Sequence, residues 1–222
     1  MEGEKNTDAQ MKDFKLGRPA LVCRWRLADR SLPLENRHLR ALSHRFVNGA
    51  AVTTQLVAWA KQHIEWTLAE GAARYPGGVL MIIVDEAGRA AMTVGPYEPL
   101  LVCTTSALAE RALHAAREAD ETGVAPETLW AFDGERLICG REATTPASGA
   151  ATLIDDLART IGITVAYQAD LAERVIVGDG CFDEVFLSSD EYGVVLSSTA
   201  AGARSRRFAE GYEKLLGSVR RR

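Results

Sequence analysis

The cysteines come first among the side chains of this 222-residue sequence that could do chemistry. They are far apart and form no C-x-x-C pair, so no metal site or disulfide framework is predicted for Cys23, Cys103, Cys139 and Cys181. Cys103 stands just before a predicted helix, whose N-terminus would activate a thiol as a nucleophile. His114 lies about three turns along that helix, so a histidine partner would have to be His38 or His44. The alternative is a buried, inert thiol.

Groups that suit an anion occur at further places in the sequence. Arg24 lies on a predicted strand, where its guanidinium could hold a carboxylate through two hydrogen bonds or could face solvent. Ser188 and Ser189 end another strand, and their hydroxyls could hold phosphate or carboxylate together with a helix start. The alternative for the serines is the ordinary polarity of a hairpin. The backbone amides of the helix start suit an anion and belong to Gly149, Ala150, Ala151 and Thr152.

The apolar pattern predicts the elements that must position these groups. Strands are predicted at 20–27, 79–84, 89–94, 128–132, 136–139, 163–167, 184–188 and 194–198. Helices are predicted at 34–47, 54–70, 107–119, 151–161, 171–177 and 203–219, and Asn48-Gly49 is interpreted as the stop of the first helix. This order predicts an α/β (α+β) fold with a disordered leader at 1–17, a domain at 18–99, a connector at 100–106 and a second domain at 107–222.

Composition limits the class of function. Hydrophobic residues make up 47% of the chain and charged residues 25%, with a net charge of −4, so we expect no nucleic-acid partner. No apolar run approaches the roughly 20 residues that span a bilayer, so no membrane partner is predicted. The leader is polar and lacks the apolar core of a signal peptide. We therefore predict a cytoplasmic protein.

The stretch 151–219 carries a specific pattern of motifs. A helix ending in I-G-I at 161–163 leads to a strand and a short helix, then to D-E-V-F-L-S-S at 183–189 and G-V-V at 193–195. In order and spacing over about 70 residues this resembles the C-terminal domain of the class IV aminotransferases. That family includes branched-chain aminotransferases, D-amino acid aminotransferases and aminodeoxychorismate lyases. The resemblance implies a two-domain fold, shortened here in the middle, with an interdomain cleft, a homodimer, and a phosphate held near Ser188 and Ser189.

The first half resembles the family more weakly, through L-E-N-R-H-L at 34–39. Without a gap, Arg40 falls on the family's phosphate-binding arginine and Gly49 on the glycine that follows it. With His38 and Leu39 kept in register, Ala41 falls there instead. Both alignments remain open.

The sequence departs from the family where pyridoxal phosphate (PLP) would bind. C-T-T-S-A-L at 103–108 puts Cys103 at the Schiff-base lysine, and a thiol cannot form the imine. None of the five lysines follows a predicted central strand: they are Lys5, Lys12, Lys15, Lys61 and Lys214. Gly123 falls on the glutamate that pairs with the pyridine nitrogen, and Glu127, four positions later, is the acid of the equivalent segment 123–130. G-A-A-T at 149–152 keeps the helix amides but lacks the family's arginine.

The leading hypothesis is a divergent protein of this fold that binds a small anionic amino-acid-like or keto-acid-like metabolite in the interdomain cleft. It would be a biosynthetic enzyme that works without a PLP Schiff base, of lyase, cyclase or condensation type, and we expect no cofactor. One alternative is a PLP-dependent aminotransferase or aminodeoxychorismate lyase that binds PLP non-covalently or through an unrecognised lysine. Another is an inactive homologue that acts as a binding partner.

Overall fold

The computed structural model describes residues 15–218, so most of the predicted leader lies outside the described part of the chain. The first half contains a three-stranded antiparallel sheet in the order β1-β4-β5. The run at 79–84 forms its central strand, as its unbroken apolar character predicted. The elements are β1 (Pro19–Arg26), α1 (Glu35–Ser43), β2 (Phe46–Val47), β3 (Ala50–Ala51), α2 (Thr54–Gly71), β4 (Val79–Asp85) and β5 (Ala90–Gly95).

Alternation along β1 divides its side chains between two faces. Leu21, Cys23 and Trp25 point into the core of the first half, where α1 and α2 cover the sheet. Arg24 and Arg26 are only partly buried and point the other way. The strand therefore presents two guanidinium groups toward the second half of the chain.

The predicted first helix is too long. α1 ends at Ser43, and Asn48 and Gly49 have φ angles of 52° and 75° as the turn of the β2–β3 hairpin. Asn-Gly favours a two-residue hairpin turn because both residues tolerate positive φ. The dipeptide was interpreted as a helix stop, but it joins two strands, and this difference moves Arg45 off the helix.

The second half is a five-stranded sheet in the order β10-β9-β6-β7-β8, antiparallel except for the β7–β8 pair. Helices α3 and α5 cover one face, and α4 and α6 cover the other. The elements are α3 (Thr105–Thr122), β6 (Thr128–Asp133), β7 (Arg136–Cys139), α4 (Gly149–Thr160), β8 (Val165–Tyr167), α5 (Leu171–Val177), β9 (Glu184–Ser189), β10 (Gly193–Leu196) and α6 (Ala203–Ser218).

Helix α3 is longer than predicted at both ends. Thr104 rather than Ser106 is its N-cap, and the Thr104 hydroxyl accepts a hydrogen bond from the Ala107 amide at 3.2 Å. The helix ends at Gly123, which has a φ of 63°. A Cβ on Gly123 would lie 2.6 Å from the Ala20 carbonyl oxygen, so glycine also permits this helix end to approach β1.

The two halves meet along β1, α1, α3 and α4. Helix α1 packs on α4, and α3 contacts β1. The Arg26 amide donates a hydrogen bond to the Asp190 carbonyl oxygen at 2.9 Å. Within residues 15–218, no helix combines the length and the apolar character that a membrane span requires.

Candidate functional site

The interface between the halves encloses a cleft lined by β1, α1, α3 and the β9–β10 turn. The free space at its centre has a volume of about 20 Å³. A water molecule needs at least roughly 10–15 Å³ of such space, so the cavity has room for one or two waters. Arginine, aspartate and glutamate side chains make up a large part of its lining.

The N-terminus of α4 is the strongest anion-binding element of the cleft, and it holds an internal carboxylate. Asp190, in the β9–β10 turn, is 7% exposed. Its carboxylate accepts hydrogen bonds from the Ala150 amide at 2.7 Å and the Gly149 amide at 3.3 Å. The Ala151 amide is capped by the Ser148 hydroxyl at 3.1 Å. Two of the four amides predicted to bind an anion, those of Gly149 and Ala150, therefore bind one that the chain itself supplies, and the Thr152 amide binds the Ser148 carbonyl oxygen.

His38 supports this carboxylate from α1. Its Nδ1 atom lies 3.5 Å from an Asp190 oxygen, and its ring stacks on Trp25 with centroids 5.1 Å apart. Burial would raise the pKa of Asp190, but His38 and the two helix amides outweigh it and hold that pKa below its ordinary value. A Cβ on Gly149 would lie 2.6 Å from His38 Nδ1, so the helix must begin with glycine for the imidazole to approach.

The two predicted serines are buried and have partners within the protein. The Ser188 hydroxyl accepts a hydrogen bond from the Trp130 indole N–H at 2.8 Å. The Ser189 hydroxyl donates to a Glu127 oxygen at 3.2 Å and accepts from the amides of Glu191 and Tyr192, each at 3.1 Å. Both side chains hold the β9–β10 turn in place and present no free hydroxyl to the cleft.

Arg111 of α3 holds a second carboxylate at the interface between the halves. Arg111 makes a two-pronged contact with Glu127, with nitrogen–oxygen distances of 2.7 and 2.9 Å. Its hydrogen bond to Glu127 raises the pKa of Arg111. Glu127, the acid of the segment equivalent to the family's pyridine-binding segment, is thus held by a neighbouring guanidinium.

Arg24 points into the cleft, where it holds a carboxylate of the protein. Its Nη2 atom donates to Glu118 at 2.6 Å, and its Nε atom lies 4.0 Å from Glu191. Burial disfavours both charges, yet the hydrogen bond raises the pKa of Arg24 and lowers the pKa of Glu118. Burial and the nearby carboxylates of Glu127 and Glu118 raise the pKa of Glu191. Glu191 is therefore a cleft acid that takes up a proton more readily than an ordinary glutamate.

The two alignments of the first helix have different outcomes in space. Arg40 is exposed on the outer surface of α1 and does not line the cavity, whereas Ala41 is buried and does line it. Arg45, four residues after Ala41, also lines the cavity. No hydrogen bond or ion pair joins the Arg45 guanidinium to residues 15–218, and burial lowers its pKa. Arg45 is the available cation of this region, and the predicted Arg40 is not.

Arg45 also forms the inner wall of a larger groove, which opens on the other side. This groove has a volume of about 660 Å³, within the range of small-molecule sites. The half-exposed ring of Phe46 and the side chains of Val124 and Pro126 provide apolar walls. Carboxylates line its outer part and belong to Glu86, Asp120 and Glu121.

Cys103 lies outside this arrangement. Its thiol is partly buried against the core beside α3, with its sulfur 3.5 Å from the Leu100 carbonyl oxygen. It does not line the cavity or the groove, and no hydrogen bond within residues 15–218 joins it to a histidine. The nearby hydroxyls of Thr105, Ser197 and Thr199 hydrogen-bond to one another. The described residues also contain no group of three or more metal-ligating side chains.

Comparison with known proteins identifies the architecture. No protein-family model matches the sequence, and no curated protein matches it significantly. Solved structures do match. A hypothetical aminotransferase from Mycobacterium tuberculosis, in its PLP-bound form, aligns with 90% of this chain and 89% of its own at 17% identity, with a TM-score of 0.61. The Escherichia coli branched-chain amino acid aminotransferase aligns at 14% identity over 93% and 90%, with a TM-score of 0.56.

The Pseudomonas aeruginosa 4-amino-4-deoxychorismate lyase also matches. It aligns at 16% identity over 88% of this chain and 90% of its own, with a TM-score of 0.51. The chain therefore has the class IV aminotransferase fold, in a form shorter than the usual aminotransferases. The predicted fold class and resemblance are confirmed. At these identities the likeness concerns the fold and leaves the activity open.

The side chains present do not fit PLP. Lys15, Lys61 and Lys214 are all exposed, and no lysine of residues 15–218 lines the cavity. A phosphate would have to displace or face the Asp190 carboxylate at the start of α4, where like charges repel. The free volume of about 20 Å³ is also far below the roughly 300 Å³ of a small ligand site.

Sequence reasoning missed the residues that organise the cleft, namely Asp190, Arg45, Arg111 and Glu118. Asp190 belongs to a D-E-Y-G turn between two strands, and such a turn normally faces solvent. Arg45 was assigned to a helix because Asn48-Gly49 was interpreted as its end. Recognising Asn-Gly as a hairpin signal would have placed Arg45 in a turn beside the cleft.

Proposed function

We propose that this chain is a PLP-independent protein of the class IV aminotransferase fold that binds a small amino-acid-like or keto-acid-like carboxylate in the interdomain groove at Arg45. Any chemistry in the cleft would proceed without an imine, and Glu191 is the group best suited to exchange a proton. The proposed enzyme remains of the lyase, cyclase or condensation type, since those reactions need no electron sink bound to lysine.

The observation that carries the first part is the Asp190 carboxylate on the amides of Gly149 and Ala150. A helix start has one favourable position for an anion, and its dipole is already neutralised here. A bound phosphate would bring about two further negative charges beside a buried carboxylate. The internal carboxylate and the cofactor phosphate are therefore mutually exclusive.

Absorbance spectroscopy with PLP tests this exclusion. Purified protein mixed with PLP should show only the spectrum of the free aldehyde, and borohydride treatment should leave no pyridoxyl group on the protein by mass spectrometry. A shifted absorbance band together with a stoichiometric, borohydride-fixed adduct at one lysine would restore the aminotransferase or aminodeoxychorismate lyase alternative. An adduct spread over exposed lysines at low occupancy would not.

The groove supplies the argument for the ligand. Arg45 offers a partly buried guanidinium at the inner wall that Asp190 attracts but that makes no hydrogen bond or ion pair within residues 15–218, so a carboxylate there would gain two charge-assisted hydrogen bonds. The exposed carboxylates of Glu86, Asp120 and Glu121 line the same groove and suit an ammonium group. An amino acid carries both charges, whereas a keto acid would use Arg45 alone.

A thermal-shift screen of α-amino acids and 2-keto acids tests the proposed ligand class. Arg45→Met should abolish the stabilisation by the best ligand, with a loss in affinity of about 10- to 100-fold from the lost charge-assisted bonds. Arg40→Met is the matched control, because it removes the same charge from an exposed position just upstream. Equal affinities for wild type and Arg45→Met would refute the assignment.

A second candidate function is that of a non-catalytic binding partner, which one observation favours. Leu101 and Val102, in the connector before α3, are 95% and 65% exposed, and Val177 at the end of α5 is 75% exposed. Exposed apolar side chains of this kind suit protein contacts. The proposed homodimer would cover them, and light scattering should then report twice the mass of 24.1 kDa. A monomer that shows no ligand response would favour a heterologous partner instead.

A further inference from the structure

A second cavity lies on the other side of the β9–β10 turn, away from the groove at Arg45. It has a volume of about 390 Å³ and lies between the end of β1, the loop before β4, Tyr97 after β5, and α6. Arg26 and three tyrosines supply its polar lining, and Leu27, Pro76 and Leu216 contribute apolar walls. None of these residues belongs to the set proposed above for Arg45.

Arg26 is the central group of this cavity. Its Nη1 atom is buried and has no hydrogen-bond partner within residues 15–218. The guanidinium stacks on the Tyr97 ring, with its central carbon 3.1 Å from the ring centroid. No acidic side chain of residues 15–218 pairs with it. Arg24 and Arg111, by contrast, each form an ion pair with a glutamate. Nη1 itself is closed to solvent, so a ligand oxygen in the cavity would bond to the other guanidinium nitrogens, which are not buried and have no partner among residues 15–218.

Tyrosine side chains line the same cavity, and one of them, Tyr192, also lies beside Arg111 of the cleft. Tyr97, Tyr192 and Tyr212 all line the cavity, and no hydrogen bond joins their hydroxyls to other residues of 15–218. Burial raises the pKa of Tyr212 and of Tyr192, so both phenols remain protonated at neutral pH and can donate. The cavity thus combines one cation with neutral donors, a set that recognises an oxyanion.

The charges around the cavity limit the ligand to a single negative charge. Asp29 and Glu213 also line it, and both are exposed. Their fields are weakened by solvent but still oppose a dianion more than a monoanion. The apolar walls and the tyrosine rings suit a flat apolar body.

We infer that this cavity is a binding site for a monocarboxylate with a flat apolar body, whose carboxylate is held by the Arg26 guanidinium and the tyrosine hydroxyls. The site lies beside the turn that carries Asp190, because the Arg26 amide is hydrogen-bonded to the Asp190 carbonyl oxygen. A ligand there would hold the end of β1 against α6.

Benzoate is a suitable probe, and benzamide is its uncharged control of the same shape. Ligand-observed NMR titration of the full chain should show saturable benzoate binding and at least tenfold weaker benzamide binding. Arg26→Met should weaken benzoate binding about 10- to 100-fold because charge-assisted bonds are lost. Arg74→Met is the matched control, since Arg74 is an exposed arginine that also stacks on a tyrosine, and it should bind benzoate as the wild type does.

A folding defect in Arg26→Met would be recognised by circular dichroism, and Tyr212→Phe then provides an independent test. It removes one donor and keeps the ring, so benzoate affinity should fall about three- to tenfold. Wild type that shows no saturable benzoate binding, or that binds benzamide equally well, would overturn the inference. So would unchanged benzoate binding in both variants. Benzoate binding that is lost in Arg45→Met but kept in Arg26→Met would place benzoate in the groove and would overturn this inference without refuting the proposed function.

Discussion

The Asp190 carboxylate is the most informative group to remove. In Asp190→Ala the buried amides of Gly149 and Ala150 lose their acceptor, and His38 loses its neighbouring charge. Removing one partner of a buried charged pair costs about 3–5 kcal/mol of stability. Domains have total stabilities of about 5–15 kcal/mol, so the variant should be severely destabilised. Asp190→Asn keeps one acceptor oxygen for the Ala150 amide and should lose about 2 kcal/mol.

Urea unfolding at pH 7 measures these losses, with Asp156→Asn as the control. Asp156 lies on α4, the helix whose first amides bind Asp190. Asp156 is half-exposed and accepts a hydrogen bond from Arg37 at 2.8 Å, so its loss should cost less than about 1 kcal/mol. The pKa of Asp190 is lowered by folding from its ordinary 3.8. Its contribution is complete above that value and is lost as the pH falls through the lower folded-state pKa. The difference between wild type and Asp190→Asn should therefore shrink below about pH 4.

Rescue by a small anion distinguishes a specific anion site from general damage. Formate has the chemistry of the group that Asp190→Ala lacks, so formate should raise the melting temperature of this variant more than chloride at the same ionic strength. Wild type and Asp156→Asn should respond to both salts equally. Losses below about 0.5 kcal/mol in both Asp190 variants, or no specific formate effect, would show that the carboxylate does not neutralise the helix start.

Three further predictions follow from single groups. Hydrogen bonds from the Gly17 amide and from the backbone and side chain of Arg89 lower the pKa of Asp85 to about 2. The Asp85 carboxylate therefore stabilises the fold fully above pH 3.8, and this stabilisation declines as the pH falls toward 2. When the melting temperature is measured against pH, Asp85→Asn should lack this acid-dependent decrease. Gly149→Ala should destabilise the fold in urea unfolding by about 1–3 kcal/mol despite the better helix propensity of alanine, because the new Cβ meets His38. A thiol reagent such as iodoacetamide should modify exposed Cys181 in the folded protein but reach Cys23 only after unfolding, since burial raises the pKa of Cys23 to about 12; mass spectrometry would detect the reverse order.

The fold was predictable because local apolar patterns in the sequence indicate most of its strands and helices. The unbroken apolar run at 79–84 forms the central strand β4. The alternation of side chains along β1 places Trp25 in the core and Arg24 on the opposite face. The site was not predictable in the same way. Arg24 could be proposed as a carboxylate ligand from its position on β1, but the carboxylate it holds comes from Glu118, 94 residues later. Such pairs depend on how two domains dock, which no local pattern encodes.

The helix start shows most clearly how the same local signal permits two outcomes. G-A-A-T at 149–152 predicts amides that need an anion, and this need is physical whichever anion satisfies it. In a cofactor-dependent protein the anion is a ligand, so part of the folded state's stability depends on the ligand's concentration. Here Asp190 satisfies the amides, Glu118 pairs with Arg24, and Glu127 pairs with Arg111. The cleft is neutralised by the chain itself, so its stability should not change with added PLP. Arg45 and Arg26 make no hydrogen bond or ion pair to an acid within residues 15–218 and mark where a ligand can still contribute.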